Sequence, residues 1–523
     1  MHVLRTDIAI IGGGLGACAA ALGAARLGRR VILTEETQWV GGQLTNQAVP
    51  PDEHPWIEEH GATASYRKLR QGIRDFYRRF LPLGAEARAN ERLNPGNGWV
   101  SRLCHDPRIA VAVLQQMMAP YELNGRLFVL HPHRPVAAWT QGDRISGVVV
   151  RALDSGRDTL IEAPYFIDAT PYGDLLELAN VEHVVGAEAR SETGEPHAFE
   201  RAEPLAQQAI TVCFAMEHLP GEDHTIDKPT QYEMWRNLQP PNWPGRLLDW
   251  TTVRPETHEP LRRMLFDAPD GRPWWNFRRI LDRRNFEPGF APSDVTVVNW
   301  PQNDYWSGPL VGVSEAEHAS HLEAARQLSL SLLYWLQTEA PRSDGGLGYP
   351  GLRLRGDVVG GTPDGLALAP YVRESRRLRA ETTVVEQDIA YPVRADGPAT
   401  FEDSVGIGGY RIDLHPRTNG AGYLDLACWP FQIPLGAMVP VRVDNLLPGG
   451  KNLGVTHITN GAFRLHPVEW NIGEAAGLLA AFCLERGTIP RAVRNTPRLL
   501  ADFQSLLVAQ GIELEWRRPL RPI

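Results

Sequence analysis

Short apolar runs and a stretch of small residues alternate at the start of the chain. Residues 7–11 and 31–33 are apolar and rich in β-branched side chains, which predicts two buried parallel strands. Between them, three consecutive glycines from Gly12 lead into a small-residue segment that predicts a helix to about Arg29. The pattern predicts a strand–helix–strand unit, the building block of an α/β fold.

Apolar positions spaced three or four residues apart, together with capping residues, predict helices in the rest of the chain. Ser314 and Glu317 form a capping box that opens a long helix. Pro107 and Pro497 each follow a residue that suits the N-cap position. The predicted helices are 63–80, 107 to about 118, 315 to about 338, one that starts near Pro467, and 497–511.

Further apolar runs predict strands at 126–130, 144–151, 159–167 and 293–300. The turn Gln141-Gly142-Asp143 favours an antiparallel meander among the first three of these strands. Together with the first unit, the pattern predicts a Rossmann-like domain, with a parallel sheet, helices and a β-meander.

Residues 180–310 have no alternation of strands and helices, and their polar loops carry seven tryptophans between Trp235 and Trp306. This composition predicts an inserted α+β domain with a mostly antiparallel sheet, which lies over the Rossmann-like domain. Its tryptophans either line a substrate pocket or fill the core of the inserted domain, and we expect the core for most of them.

The first glycines follow the pattern G-x-G-x-x-A. Gly12 permits a sharp turn after the strand, Gly14 lets backbone amides approach a pyrophosphate, and Ala17 lets the helix pack closely. Glu35 lies 21 residues after Gly14, where a carboxylate accepts hydrogen bonds from ribose hydroxyls and disfavours the 2′-phosphate of NADP. An adenine dinucleotide site follows, because a glycine-rich turn without a ligand would leave Glu35 unexplained.

Composition narrows the class of protein. The 523 residues have a net charge of −9, 43% hydrophobic and 22% charged residues, which is ordinary for a globular protein and argues against nucleic acid or an anionic membrane as partner. With no apolar run of 18 residues and a strand that begins at residue 7, we expect a cytoplasmic location. Five scattered cysteines argue against the disulfide-reductase class, and the sixteen histidines form no ligand-spaced cluster, so no metal is predicted.

Three later stretches are candidates for contact with a dinucleotide. The loop that holds Gly42 and Gln43 follows the second strand, although it is alternatively a plain surface turn. Ala169 lies where an apolar strand ends in small residues. Near the C-terminus, Gly449 and Gly450 follow a strand, and the helix that starts near residue 467 offers a second positive dipole end.

Candidate catalytic residues lie in the C-terminal half. In a strand, Asp413 and His415 share a face, and an imidazole beside a carboxylate is a candidate general base or, equally, a buried structural pair. Arg373 suits stabilisation of negative charge on a flavin or a substrate, or a structural salt bridge. His466 is a further candidate for steadying developing charge.

Taken in order, these stretches resemble the FAD-dependent oxidoreductases with the glutathione-reductase-type flavoprotein fold. The resemblance spans both ends of the chain, but residues 180–310 carry no matching motif. It depends on DIAIIGGGLGACAAALGAARLG with VILTEE, VGGQLT, FIDATPYGDL, PYVRESRRL, DSVGIGGYRIDLH, and NLLPGGKNLGVTH with HPVEWNIGEAAG. Two positions depart from the family, because Pro171 stands where relatives often have glycine and Lys451 where they often have arginine.

The resemblance implies FAD in an extended pose. The glycine motif would hold the pyrophosphate, Glu35 the adenosine ribose, and the C-terminal turn and helix the ribityl chain and flavin. The implied cofactor-binding residues are Gly12, Gly14, Leu15, Gly16, Ala17, Glu35, Glu36, Gly42, Gln43, Leu44, Ala169, Gly449, Gly450, Asn471 and Ile472.

The expected domains are 1–179 and 401–523 for the two parts of the FAD-binding domain, 180–310 for the inserted substrate domain, and 311–400 for a helical and cap segment. The expected function is removal of a hydride from a small alcohol, amine or sugar-like compound at flavin N5, with His415 as base and Arg373 or His466 steadying charge. The electron acceptor is unknown, and the protein is a candidate homo-oligomer.

Three other functions remain open. A flavin monooxygenase would use NAD(P)H and oxygen, and a non-catalytic protein would bind FAD without substrate-dependent reduction. An NAD-linked dehydrogenase is disfavoured, because the motifs near the C-terminus would then have no role.

Overall fold

A five-stranded parallel sheet lies at the centre of the structure, a computed structural model that describes residues 2–523. The strands are short and apolar, and four of the five are buried along their whole length, because helices and other elements cover the sheet. In spatial order the strands are Leu446–Pro448, Tyr165–Asp168, Ile8–Ile11, Val31–Thr34 and Leu127–Leu130. The mixed α/β architecture is the one that the sequence predicts.

Within residues 2–523, six helices are 12 residues or longer. They are α1 (Leu15–Arg26), α2 (Ala64–Phe80), α3 (Pro107–Leu123), α4 (Glu315–Thr338), α5 (His466–Arg486) and α6 (Pro497–Ala509). Shorter α-helices are Ala85–Ala89, Asp174–Leu178, Arg190–Thr193, Tyr232–Asn237, Glu386–Ile389, His457–Phe463 and Pro490–Asn495. Single 3₁₀ turns are Gly42–Leu44, Trp274–Asn276, Arg283–Asn285, Pro301–Asn303, Gly356–Val358 and Leu435–Met438.

A second sheet contains only part of the predicted meander. Arg144–Ala152 and Asp158–Glu162 belong to it, but the predicted strand at 126–130 does not, because Leu127–Leu130 pairs in parallel with Val31–Thr34 and His133–Gln141 takes its place. Antiparallel pairing joins three of its strands, and the fourth, from the N-terminus, pairs in parallel at one edge. In spatial order the strands are His2–Arg5, Asp158–Glu162, Arg144–Ala152 and His133–Gln141.

The cap is the region from 210 to 372, and most of its buried apolar residues form one hydrophobic cluster. Its antiparallel sheet has the order Arg279–Leu281, Val295–Val298, Phe214–His218 and Leu352–Leu354. Trp235, Trp250 and Trp275 are buried in this cluster, as the core alternative requires. The cluster also includes α4 and extends well past residue 310, because α4 packs against the helix Tyr232–Asn237 and the strands Ile210–Thr211 and Asp304–Tyr305.

Five small two-stranded sheets complete the fold. They pair Ile210–Thr211 with Asp304–Tyr305, Thr251–Val253 with Pro260–Arg262, His183–Val184 with Arg377–Leu378, Ser404–Gly408 with Phe431–Pro434, and Ile412–Leu414 with Leu424–Leu426.

The predicted helix starts are confirmed. Thr63, Asp106 and Ser314 each accept a hydrogen bond from a backbone amide in the first turn of their helix. The prediction of one strand over 159–167 was wrong, because the chain turns at residues 163–164 and enters the parallel sheet as a separate strand.

Helices α1 and α5 pack in close contact through small residues. A Cβ on Gly473 would overlap the carbonyl oxygen of Gly16, and one on Gly477 would overlap that of Ala20. This approach brings the first turn of α5, which carries Glu469, against the glycine turn before α1. Two distant segments of the chain therefore build one site.

None of the helices in residues 2–523 combines the length and the apolar composition that a membrane crossing requires.

Candidate active site

A crevice with about 520 Å³ of open space, the solvent at its mouth included, follows the carboxyl-terminal edge of the parallel sheet. Gly14, Glu35, Ala169 and Gly450 line it, and each comes just after a different strand of the sheet. This edge is where open α/β sheets bind their ligands. Asn46, Tyr371, Lys451, Arg464 and Glu469 are also in its wall.

Glu35 is buried at one end of the crevice. Its carboxylate accepts hydrogen bonds from the backbone N–H of Gly13 at 3.1 Å and of Thr37 at 2.8 Å, and from the Asn46 amide at 3.1 Å. Burial raises the pKa of Glu35 to about 7, against the lowering effect of these donors. The donors hold the carboxylate at the tip of the second strand, where the ribose of a dinucleotide is expected.

The glycine turn has the shape that a pyrophosphate requires. Gly12 has a φ of +92°, which favours glycine, and a Cβ there would overlap the backbone of Ala169. The Gly16 N–H donates to a Glu469 carboxylate oxygen at 3.3 Å. A carboxylate of the chain is therefore already bonded to one of the backbone amides at the start of α1, where an anion is expected to bind. Burial raises the pKa of Glu469, and the nearby Lys451 acts in the opposite direction.

The structure places the predicted cofactor residues in two groups. Gly14, Glu35, Gly42, Gln43, Ala169 and Gly450 line the crevice. Asn471 lies elsewhere, because its side chain bonds to the backbone of Val405 and Ile407. The rest are not in the wall of the crevice, namely Gly12, Leu15, Gly16, Ala17, Glu36, Leu44, Gly449 and Ile472.

The residues in the wall of the crevice suit a dinucleotide. Two buried acceptor atoms in its wall, Oε1 of Gln43 and Oδ1 of Asn46, have no hydrogen-bond partner within residues 2–523. A Cβ on Gly14 would lie 3.2 Å from the Glu469 carboxylate, so glycine keeps this part of the wall open. Lys451 adds a cation beside the glycine turn. The unpaired acceptors suit the hydroxyl groups of FAD, which donate hydrogen bonds. The Lys451 cation and the glycine turn, which carries no side chains, suit its phosphates.

A second cavity, of about 1240 Å³ including its mouth, lies between the cap and the C-terminal segment. We call it the cap cavity. Tyr371 and Arg464 line both this cavity and the crevice, so the two spaces adjoin. Its wall also includes Asp52, Trp99, Arg254, Arg272, Trp274, Phe277, Arg278, Asn299, Trp300, Arg373, Asp413, His415 and Tyr423.

His415 lies in the wall of the cap cavity between two carboxylates. Its Nδ1 donates to Oδ2 of Asp304 at 2.5 Å, and its Nε2 lies 3.6 Å from Oδ2 of Asp413. The predicted neighbour Asp413 is therefore confirmed, but the closer and fully buried partner is Asp304. With Nδ1–H committed to Asp304, Nε2 is the nitrogen that is left to accept a proton.

Asp304 is held as an anion by its surroundings. Burial alone would raise the pKa of this carboxyl, but the Arg373 guanidinium and His415 hold the pKa below its ordinary value. Arg373 donates to Oδ1 of Asp304 at 3.0 Å, to Oγ1 of Thr211 at 3.0 Å and to the carbonyl of Ala209 at 2.8 Å. The structure thus makes Arg373 part of a salt bridge behind His415.

Short backbone pairings position these side chains. Thr211 lies opposite Asp304 in a two-stranded ribbon, and its backbone also exchanges two hydrogen bonds with Tyr371. The N–H of Ala209 donates to the carbonyl of Pro416, which ties the His415 segment to the same ribbon.

His466 has no nitrogen left for a ligand. Its Nδ1 accepts from the Asp52 N–H at 3.0 Å, and its Nε2 lies 3.2 Å from the carbonyl oxygen of Val49. Burial lowers the pKa of His466 to about 4, so the ring is neutral at pH 7. It holds the 49–52 loop in place and lines neither cavity.

Sequence reasoning missed Asp304, Glu469 and Asn46 as members of the site. Asp304 follows the predicted strand at 293–300 in a region without a family motif, and its partner His415 is 111 residues away. Glu469 lies in the quoted motif HPVEW, close to the helix start that was predicted to face the flavin. Of the three residues, Glu469 is the one that a sequence motif could have identified.

The sequence matches the family described as FAD dependent oxidoreductase over residues 7–507. The chain belongs to this family of FAD-dependent oxidoreductases. It is therefore an oxidoreductase, and its cofactor is FAD. No curated protein matches the chain. Within residues 2–523, no group of three or more His, Cys, Asp or Glu side chains is arranged to hold a metal ion.

Solved structures resemble the chain only distantly. A geranylgeranyl bacteriochlorophyll reductase-like protein from Thermoplasma acidophilum is 9% identical, with 98% of this chain and 85% of that one covered and a TM-score of 0.32. Quinol fumarate reductase FrdA of E. coli is 13% identical, with 98% and 74% covered and a TM-score of 0.34. L-proline dehydrogenase from P. horikoshii is 17% identical with a TM-score of 0.18, and the match covers 35% of this chain and 24% of the dehydrogenase.

Proposed function

We propose that this FAD-dependent oxidoreductase oxidises a small hydroxyl or amine compound held in the cap cavity. The observation that carries the proposal is that the cap cavity adjoins the crevice at Tyr371 and Arg464 and holds the His415–Asp304 pair in its wall. A base, a cavity for a small molecule and the cofactor crevice therefore meet at one place.

In the crevice, Glu35 would hold the adenosine ribose and the glycine turn the pyrophosphate, with the flavin end beside Tyr371 and Arg464. Bound FAD supplies the two-electron acceptor, because flavin N5 takes a hydride. The remaining chemistry belongs to the side chains of the chain itself.

The base is Nε2 of His415. It takes the proton from the substrate hydroxyl or amine while the hydride leaves the adjacent carbon, and a carbonyl or imine is the product. Asp304 fixes the tautomer of the ring and stabilises the imidazolium that forms, in the manner of other carboxylate–histidine pairs. Arg373 positions Asp304.

Anaerobic reduction of the bound flavin tests this function. The FAD-loaded enzyme is mixed with a panel of alcohols, amines and sugars, and flavin absorbance is followed for the wild type and His415→Gln. We expect at least one panel compound to reduce the flavin, and His415→Gln to slow that reduction by about 100-fold or more, the usual contribution of a general base. The control is His224→Gln, in an exposed loop outside both cavities.

Three results would contradict the proposal. An unchanged rate in His415→Gln would remove this residue as the base. Oxidation of NAD(P)H that accelerates with the substrate would indicate a monooxygenase. Bound FAD that no panel compound reduces would indicate a non-catalytic protein.

A further inference from the structure

The cap cavity carries positive charge in an acidic protein. Seven arginines and four carboxylates line it, and two of the arginines, Arg263 and Arg373, pair with Asp270 and Asp304 just outside the wall. A surplus of one positive charge remains, whereas the whole chain has a net charge of −9. Unpaired positive charge at the opening of a cavity attracts ligands of the opposite sign.

Two of the arginines have no carboxylate partner. Arg254 and Arg272 are exposed at the mouth, and no carboxylate of residues 2–523 lies within 4.0 Å of either guanidinium. Arg272 lies over the ring of Trp99, with 5.6 Å between its guanidinium carbon and the ring centroid. The other unpaired charge of the wall is Glu256, which is exposed at the mouth as well.

Deeper in the cavity, charge is balanced but hydrogen-bond donors are in excess. Arg278 pairs with Asp52, and Arg464 pairs with Asp413. The Nε atoms of both arginines are nevertheless buried without a partner, as are Nδ2 of Asn299 and the hydroxyl of Tyr423. Among the residues of this wall, no buried atom that can only accept is left without a partner.

Buried donors in native proteins are nearly always satisfied, so a ligand is expected to supply acceptors here. Arginine recognises planar oxyanions, above all carboxylates, through its fork of N–H groups. The tryptophan and phenylalanine faces of the wall supply contact area for a ring or a carbon skeleton.

We propose that the substrate is a hydroxy or amino acid anion, whose carboxylate binds Arg254 and Arg272 while its reacting carbon lies near His415. This inference deepens the proposed function and depends on it for the reacting group. The carboxylate specificity itself is a property of binding and needs no turnover.

The test is a binding measurement with an unreactive matched pair, benzoate and benzamide, on the FAD-loaded enzyme. Perturbation of the flavin spectrum gives the dissociation constant of each. We expect benzoate to bind at least tenfold more tightly than benzamide, and the preference to weaken at high salt, because exposed charges are screened. The double variant Arg254→Gln/Arg272→Gln should abolish the preference, because benzoate loses more affinity than benzamide.

Arg246→Gln is the matched control, because this arginine is exposed but lies outside the wall of the cavity. It should keep the wild-type preference. Equal binding of the two compounds by the wild type, or an undiminished preference in the double variant, would overturn the proposal. Since neither compound is oxidised, these results do not depend on the flavin-reduction test, which alone decides the proposed function.

Discussion

The imidazole of His415 lies between two carboxylates that differ in burial and in bonding. Asp304 is fully buried and bonded to Nδ1, whereas Asp413 is part-exposed, lies near Nε2 and is paired with Arg464. We predict that Asp304→Asn lowers the rate of flavin reduction by about 100-fold or more, because an amide cannot hold the tautomer or stabilise the imidazolium.

Anaerobic stopped-flow absorbance with a reactive panel compound measures this effect, and FAD affinity should not change. Asp227→Asn, an exposed carboxylate without a bonded partner in residues 2–523, is the control. If Asp304→Asn reduced its flavin at the wild-type rate, Asp304 would have a purely structural role.

Glu469 is a carboxylate in the place where the phosphates of FAD are expected. It accepts from the Gly16 N–H, and burial raises its pKa. We predict that Glu469→Gln binds FAD about tenfold more tightly than the wild type at pH values above the raised pKa of Glu469, because it removes repulsion of the pyrophosphate. Wild-type affinity should fall as pH rises through the raised pKa, while the affinity of the variant stays flat.

Quenching of flavin fluorescence during titration of the apoprotein measures both curves. Glu485→Gln, on the exposed C-terminal end of the same helix, controls for loss of one negative charge. A weaker affinity in Glu469→Gln at all pH values would mean that the carboxylate binds the cofactor rather than opposes it.

Glu58 provides a pH-dependent contribution to stability. Burial alone would raise its pKa, but Arg70 at 2.8 Å and Arg74 at 2.6 Å lower the pKa from the ordinary 4.5 to about 2. A folded-state pKa below the unfolded value means that the stabilisation is complete above about pH 4.5 and is lost as pH falls towards 2. We predict that Glu58→Gln lowers the free energy of unfolding at pH 7, and that its difference from the wild type shrinks below pH 4.5.

Urea denaturation at a series of pH values measures this difference, with the exposed neighbour Glu59→Gln as control. A difference that stayed constant between pH 7 and pH 3 would show that the guanidinium contacts do not account for the effect.

At the scale of elements, the contact between α1 and α5 holds the crevice together. A Cβ on Gly473 would overlap the carbonyl oxygen of Gly16. We predict that Gly473→Ala lowers the free energy of unfolding by about 1–3 kcal/mol, the usual effect of overpacking, and weakens FAD binding because the glycine turn must shift.

Chemical denaturation and FAD titration measure the two effects. Gly245→Ala is the control, because nothing lies within 4 Å of a Cβ at that position. Normal stability together with normal FAD affinity in Gly473→Ala would contradict the close packing of the two helices.

The elements differ in how far the sequence could predict them. The unit around Gly12, Gly14 and Glu35 is encoded locally, because its turn, helix and acidic residue lie in one short stretch. The α4 start was equally predictable, since Ser314 and Glu317 cap it within one turn. Helix α5 was predicted as an element, but its packing on α1 depends on contacts more than 400 residues apart.

The site could be predicted only where a motif marks it. His415 was a candidate because Asp413 is two residues away, whereas Asp304 comes from the cap, through a ribbon with Thr211. No pattern of neighbouring residues in the sequence predicts that His415 pairs with Asp304. Histidine is a common catalytic residue, so His466 was a reasonable candidate. Both of its ring nitrogens are bonded to the backbone, at Asp52 and Val49, and only the folded structure brings these groups together.

At the scale of the whole molecule, the central claim is that the crevice and the cap cavity form one active site that meets at Tyr371 and Arg464. The crystal structure of the enzyme with FAD tests it most directly. We predict the adenosine ribose on Glu35 and the flavin ring beside Tyr371 and Arg464, with one face open to the cavity that holds His415. A flavin ring at the Glu35 end of the crevice, or one separated from the cap cavity by protein, would contradict the account.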